Sequence, residues 1–218
     1  MKRELTYRRT DGRRVALPAE ALDVLDRYRQ DCESTPEAGG VLLGRIIAET
    51  GDIVVDEVTE PTPEDARTRL SFLRGKITAQ RRVDAAWAGS GGTLIYLGEW
   101  HSHPEPRPSP SRHDVRDWRA AVTSATYEQD ALLFVIVGIE EIGVWELRRK
   151  FTKPAALGRD TGDGDRSLSS GRRARMGCVM TPRMSRGSDG PEQAQAPASA
   201  LHSCMTRVGG HDVPPGRG

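Results

Sequence analysis

Three of the five histidines in this chain lie between positions 101 and 113, and His101 and His103 are separated by a single residue. Residues two apart in a strand project to the same side. An apolar run at 93–100 leads into the pair, so both imidazoles are expected on one face of a strand end. Neutral imidazole binds zinc, and a catalytic zinc site takes three protein ligands and keeps one position open. Pro104 cannot continue the ladder, so the chain must turn there. Seven residues later Ser111 opens a helical pattern, with Asp114 in its first turn. A carboxylate placed there is the natural third ligand, completing a His-His-Asp set of hard and borderline donors that suits Zn²⁺. Ser-x-x-Asp is also a variant of the helix capping box. The two readings are compatible, because a capped helix fixes where Asp114 points. Either half alone is a weak signal; H-x-H joined to S-x-x-D at this spacing is far more specific.

Hydrolysis needs a general base that is not itself a metal ligand. Glu37 precedes Ala38-Gly39-Gly40-Val41-Leu42-Leu43-Gly44, where small residues leave a carboxylate room to approach a bound water. By composition alone Glu37 is one acidic residue among many. His113, between the capping pair, reads as a surface residue or a contact behind the ligands, and His202 and His211 fall outside the motif.

The elements that must position these groups can be read from periodicity. Segments 5–9 and 14–17 flank Asp11-Gly12, a hairpin turn signal. Pro18 opens a helical pattern with Ala21, Leu22, Val24, Leu25 and Tyr28 at helical spacing. The apolar runs 39–47 and 53–58 read as strands, and 61–70 as a polar loop. A helix is expected over 76–88, with Ile77, Val83, Ala86 and Trp87 sharing a face. A strand at 93–100, a proline-rich loop at 104–110, a helix at 111–124 and a final hairpin of 131–139 and 144–149 follow. Mixed strands with three helices define an α/β (α+β) sandwich, a central mixed sheet flanked by helices.

Composition divides the chain. Every Phe, Trp, Tyr and Ile lies between Tyr7 and Phe151, whereas the last 62 residues hold 11 of the 23 Gly and 5 of the 14 Pro. Such a stretch buries too little apolar surface to offset the entropy of ordering it. The reading is a folded domain over 1–155 and a disordered Gly/Pro/Arg-rich tail over 156–218. The tail carries nine Arg against six acidic residues, including Arg172, Arg173 and Arg175, while the folded part is slightly acidic. Neither part presents the basic field that nucleic acid requires. Cys32, Cys178 and Cys204 show no C-x-x-C spacing, which argues against a disulfide framework and suits a reducing compartment. With no signal-peptide pattern and no run long enough to span a bilayer, a cytoplasmic protein without membrane contact is expected.

Glu37 with its Ala-Gly-Gly-Val-Leu-Leu-Gly, His101-Ser-His103-Pro104 and Ser111-Arg-His-Asp114 resemble the JAB/MPN (JAMM) metallo-isopeptidase pattern over about residues 20–150. The resemblance implies a single JAB/MPN domain of cytidine-deaminase-like fold, with His101, His103 and Asp114 as zinc ligands. It implies that Glu37 is the acid/base that takes a proton from water and later protonates the leaving amine. Ser111 then stabilises the developing oxyanion. The stretch Tyr96-Leu97-Gly98-Glu99-Trp100-His101-Ser102-His103-Pro104-Glu105-Pro106 is similar to a bacterial subgroup once grouped with integrative and conjugative elements. Members of that group sit in anti-phage CBASS operons beside ubiquitin-activating and ubiquitin-conjugating-like enzymes. The substrate the resemblance implies is a cGAS-like nucleotidyltransferase joined to another protein through its C-terminal residue.

Two other readings stay open. A JAB peptidase that processes a ubiquitin-like or sulfur-carrier protein would use the same residues. A RadC-like DNA-associated accessory protein shares H-x-H and S-x-x-D, but fits poorly with the near-neutral charge of the folded part. A zinc deaminase would need a P-C-x-x-C partner, which the sequence lacks.

Overall fold

The computed structural model describes residues 3–127 and 129–161. Strands β1 (Leu5–Arg8) and β2 (Arg14–Leu17) form the expected hairpin. Helix α1 (Ala19–Asp26) starts directly after Pro18 and buries Ala21, Leu22 and Leu25. It stops short of Tyr28, whose ring instead packs on Trp100 with centroids 5.5 Å apart. Strands β3 (Gly39–Ile46) and β4 (Ile53–Val58) pair antiparallel.

Part of the stretch read as a polar loop folds into a small separate hairpin, β5 (Ala66–Thr68) and β6 (Ser71–Leu73). Its strands are three residues long, and β5 is held down by hydrogen bonds to the 30–37 segment. Apolar periodicity therefore has nothing to report there. Helix α2 (Lys76–Gly89) occupies the expected stretch: Val83 is buried with Ala79, Ala86 packs against the same layer and Trp87 is half-buried, but Ile77 is 68% exposed. Positions 79 and 83 stack one turn apart, and Ile77 points away from that line.

Strand β7 (Ile95–Ser102) carries His101, helix α3 (Arg112–Ser124) follows, and β8 (Ala131–Val137) and β9 (Ile142–Arg148) form the last long hairpin. Two short strands, β10 (Ala155–Ala156) and β11 (Gly158–Arg159), complete a nine-stranded mixed sheet in the order β10-β9-β8-β7-β3-β4-β2-β1-β11. The β7/β8 and β2/β4 pairs are parallel. The sheet runs past the boundary expected at 155: β10 pairs with β9, β11 pairs with β1, and Leu157 between them is buried. Edge pairing is made by the main chain, which composition does not register. The expected tail from 162 onward, with Cys178, Cys204, His202, His211 and the Arg172 cluster, lies outside the described residues.

Alternation along the strands separates two apolar layers. Leu133, Val135 and Val137 of β8 pack with α1, while Leu132, Phe134 and Ile136 pack with α2 and α3. Strand β7 is irregular near its middle. Its register against β3 shifts at Leu97, and Gly98 takes φ +148°, where an added Cβ would lie 1.9 Å from the Leu133 carbonyl oxygen. Only glycine fits such a bulge. A Cβ on Gly40 would lie 2.1 Å from the Thr59 carbonyl oxygen, so the backbone after Glu37 is closely packed.

Candidate metal and hydrolytic centre

The end of β7 and the residue after it present both imidazoles to the α2/α3 side. His101 packs 6.4 Å from the Trp118 ring, and the His101 and His103 Nε2 atoms are 3.0 Å apart. Asp114 lies across from them, with Oδ1 3.4 Å from His101 Nε2 and Oδ2 3.6 Å from His103 Nε2. Ligands bound at zinc's usual 2.0–2.2 Å in a tetrahedron lie about 3.3–3.5 Å from one another. The three separations bracket that spacing.

Helix α3 fixes Asp114. The Ser111 hydroxyl accepts from the Asp114 amide and the Asp114 carboxylate accepts from the Ser111 amide, a capping box in both directions. Ser111 itself is exposed. His113 makes a 3.1 Å contact from Nδ1 to Arg116 and stays apart from the cluster, as expected of a residue between the capping pair.

Glu37 reaches the same point from the start of β3. One ligand atom from each of Glu37, His101 and His103 lies within 4.8 Å of the others. Gly39 pairs with His101 across β3 and β7, which brings the two strand ends together. Ser102 points to the opposite face, where its hydroxyl accepts from the Ala38 amide at 3.0 Å and donates to the buried Gln30 side chain at 3.2 Å. Gln30 donates in turn to the Thr35 and Arg69 carbonyls. The histidine spacing of two already implies that Ser102 faces away, but no sequence signal marks Gln30 as its partner.

The two carboxylates differ in environment. Burial pushes the Glu37 carboxyl up to about 8, with His101 opposing the shift and Asp114 reinforcing it. At Asp114 burial acts upward too, but His101, His103 and the Ser111 bond more than offset it and hold the group well below the usual carboxylate range. Burial and the neighbouring His101 push His103 down to about 4. For His101, burial acts downward, but the Asp114 charge and hydrogen bond together with the Glu37 and Glu99 charges more than offset it, raising its value.

Glu37 Oε1 and Asp114 Oδ1 are buried without a hydrogen bond among the described residues. Buried acceptors are rarely left unpaired. The two imidazole Nε2 atoms, the Asp114 carboxylate beside them and a Glu37 carboxylate oxygen near both rings are a donor set that fits a divalent metal. Together they can hold a cation, keep one carboxylate ionised and another able to carry a proton near neutral pH, and offer a hydroxyl donor at the rim.

Other residues of the stretch around the histidines make packing and hydrogen-bond contacts within the fold. Glu99 pairs with Arg74 at 2.7 Å, Trp100 is buried with its Nε1 donating to the Thr59 carbonyl at 2.9 Å, and the Pro106 carbonyl accepts from the Glu140 and Glu141 amides.

Residues 21–150 match the family described as prokaryotic homologs of the JAB domain, and the chain belongs to that family. A relative from Vibrio cholerae serotype O1 named CD-NTase/cGAS isopeptidase is 35% identical over 147 residues, covering 67% of this chain and 90% of its own length. One of the same name from Escherichia coli is 32% identical over 130 residues, covering 60% and 80%. A probable metalloprotease, y4qB of Sinorhizobium fredii, is 30% identical over 89 residues, covering 40% and 54%. Among the described residues no helix is long and apolar enough to cross a membrane.

Proposed function

We propose that this chain is a zinc-dependent isopeptidase that hydrolyses the bond after the C-terminal residue of a conjugated protein. Its substrate is a conjugate of a cGAS-like nucleotidyltransferase made by ubiquitin-activating and ubiquitin-conjugating-like enzymes in anti-phage defence, and it acts in the cytoplasm. The observation that carries the chemistry is the pair of imidazole Nε2 atoms with the Asp114 carboxylate on one side and a Glu37 carboxylate oxygen close to both rings. The names of the relatives support the substrate class.

In this reading His101, His103 and Asp114 hold the ion. Bound there, zinc supplies Lewis acidity, polarising a carbonyl and acidifying water. Glu37 takes the proton released as water attacks the scissile carbonyl and delivers it to the leaving lysine nitrogen. Its elevated proton affinity suits both transfers near neutral pH. The Ser111 hydroxyl accepts from the Asp114 amide, so its own proton stays available to donate to the carbonyl oxygen as charge develops there.

The test uses a CD-NTase joined through its C-terminal carboxylate to a lysine of a reporter protein, with product masses and bound zinc measured. Wild type should release the intact CD-NTase with its own C-terminal residue, and Glu37→Ala should not. A protein that holds no zinc, or a Glu37→Ala variant that cleaves equally well, would contradict the proposal. Preferential cleavage of a ubiquitin-like or sulfur-carrier fusion run alongside would move the substrate assignment to that class.

A further inference from the structure

We infer that Arg67, on the β5–β6 hairpin, is a positioning residue that aims Glu37 by holding its main chain. This rests on the reading of Glu37 as the proton carrier. The Glu37 side chain is buried, and its Oε1 accepts no hydrogen bond among the described residues. Its aim is therefore set by its backbone. The hairpin binds both polar groups of that backbone: the Glu37 amide donates to the Thr68 carbonyl at 2.7 Å, and Arg67 Nε donates to the Glu37 carbonyl at 2.8 Å. A second guanidinium nitrogen of Arg67 donates to the Pro36 carbonyl at 3.3 Å.

One planar fork thus spans two consecutive carbonyls, which a lysine ammonium cannot reproduce in the same geometry. The bonds are charge-assisted and stronger than neutral ones. The guanidinium lies over the Tyr28 ring, 5.9 Å from its centroid. Tyr28 in turn packs against Trp100, the residue before His101. Arg67 thereby links the segment carrying Glu37 to the strand carrying the imidazoles without being a member of the metal cluster.

The experiment measures kcat and KM on the CD-NTase conjugate, zinc content, and hydrogen exchange at the Glu37 amide. Arg67→Ala should lower kcat about 10- to 100-fold with KM within about twofold, since a small misplacement of a reacting group costs on that order. It should keep its zinc, because no ligand is touched, and the Glu37 amide should exchange faster. Arg67→Lys, able to restore one bond, should recover part of the loss. The double variant Arg67→Ala/Glu37→Gln should cleave no more slowly than Glu37→Gln alone, the signature of one residue acting through another.

Wild-type kcat or an unchanged Glu37 amide in Arg67→Ala, or losses that add in the double variant, overturns the inference. If Arg67→Ala fails to fold, Arg67→Gln and Arg67→Lys carry the test, and full kcat in both overturns it. If Glu37→Gln itself cleaves like wild type, the proton-carrier reading has failed and the inference falls with it. An inactive Glu37→Gln beside an unimpaired Arg67→Ala sinks the inference alone.

Discussion

The Asp114 carboxylate accepts the Ser111 amide at 2.6 Å through the same oxygen that lies 3.6 Å from His103 Nε2. Cap and candidate ligand are therefore one group, and the first turn of α3 cannot move without moving the cation site.

That coupling separates two roles for Ser111. Losing the cap acceptor in Ser111→Ala costs about 1 kcal/mol, a fall of about 2–4 °C in Tm for a domain of this size. Losing an oxyanion donor costs on the order of 10²–10³ in kcat. Melting and cleavage measured on the same preparation should show the second effect far exceeding the first. A rate loss of only a few-fold would leave Ser111 as a cap alone.

His103→Ala should lose bound zinc and yet keep the far-ultraviolet circular dichroism of wild type, because the ring lies beyond the end of β7 and belongs to neither apolar layer. Wild type treated with a chelator should become inactive and melt lower, and added zinc should reverse both changes. Full zinc occupancy in His103→Ala would remove that residue from the ligand set.

Glu37 predicts an unusual pH dependence in the chelated, metal-free protein. Its carboxyl is raised from 4.5 to about 8, so the native state favours the protonated form. Folding is then penalised increasingly as pH rises from about 4.5 to about 8, with no further loss above. Glu37→Gln cannot ionise and escapes the penalty. Its Tm should match wild type near pH 4.5 and exceed it by several degrees at pH 8. Equal melting curves at both pH values would contradict burial of an ionisable group there.

The C-terminal pairing makes a further test. Asp160 accepts from Arg8 at 3.1 Å and Arg14 at 2.9 Å, and its amide donates to the Thr6 carbonyl. We propose that the folded domain includes residues 157–161. A chain stopped after Ala156 removes Leu157, β11 and these bonds and should melt several degrees lower than one stopped after 161. Identical melting of the two truncations would return the boundary to 155.

The long elements are legible because their apolar residues repeat. All seven residues of β8 are buried, and its sequence is one unbroken apolar run. The H-x-H parity and the Ser-x-x-Asp cap translate directly into geometry, since each depends on spacing alone. What escapes is held by polar main-chain contacts. The β5–β6 hairpin, Arg67 on the Glu37 carbonyl, Gln30 behind Ser102 and the β10 and β11 edges leave no apolar signature. On α2 only Ile77 departs from the expected apolar face: though hydrophobic, it is left on the surface.

The irregularity at Gly98 acts as a phase inverter for the strand. Leu97 and Trp100, three apart, both face the α1 layer, whereas regular alternation would send them to opposite sides. The extra residue reverses the count, and only because of that reversal do His101 and His103 turn toward Asp114 and α3. If β7 instead ran with ordinary alternation through position 98, both imidazoles would fall on the α1 side and Ser102 would face Asp114. One glycine thus decides which side of the sheet can hold the centre at all.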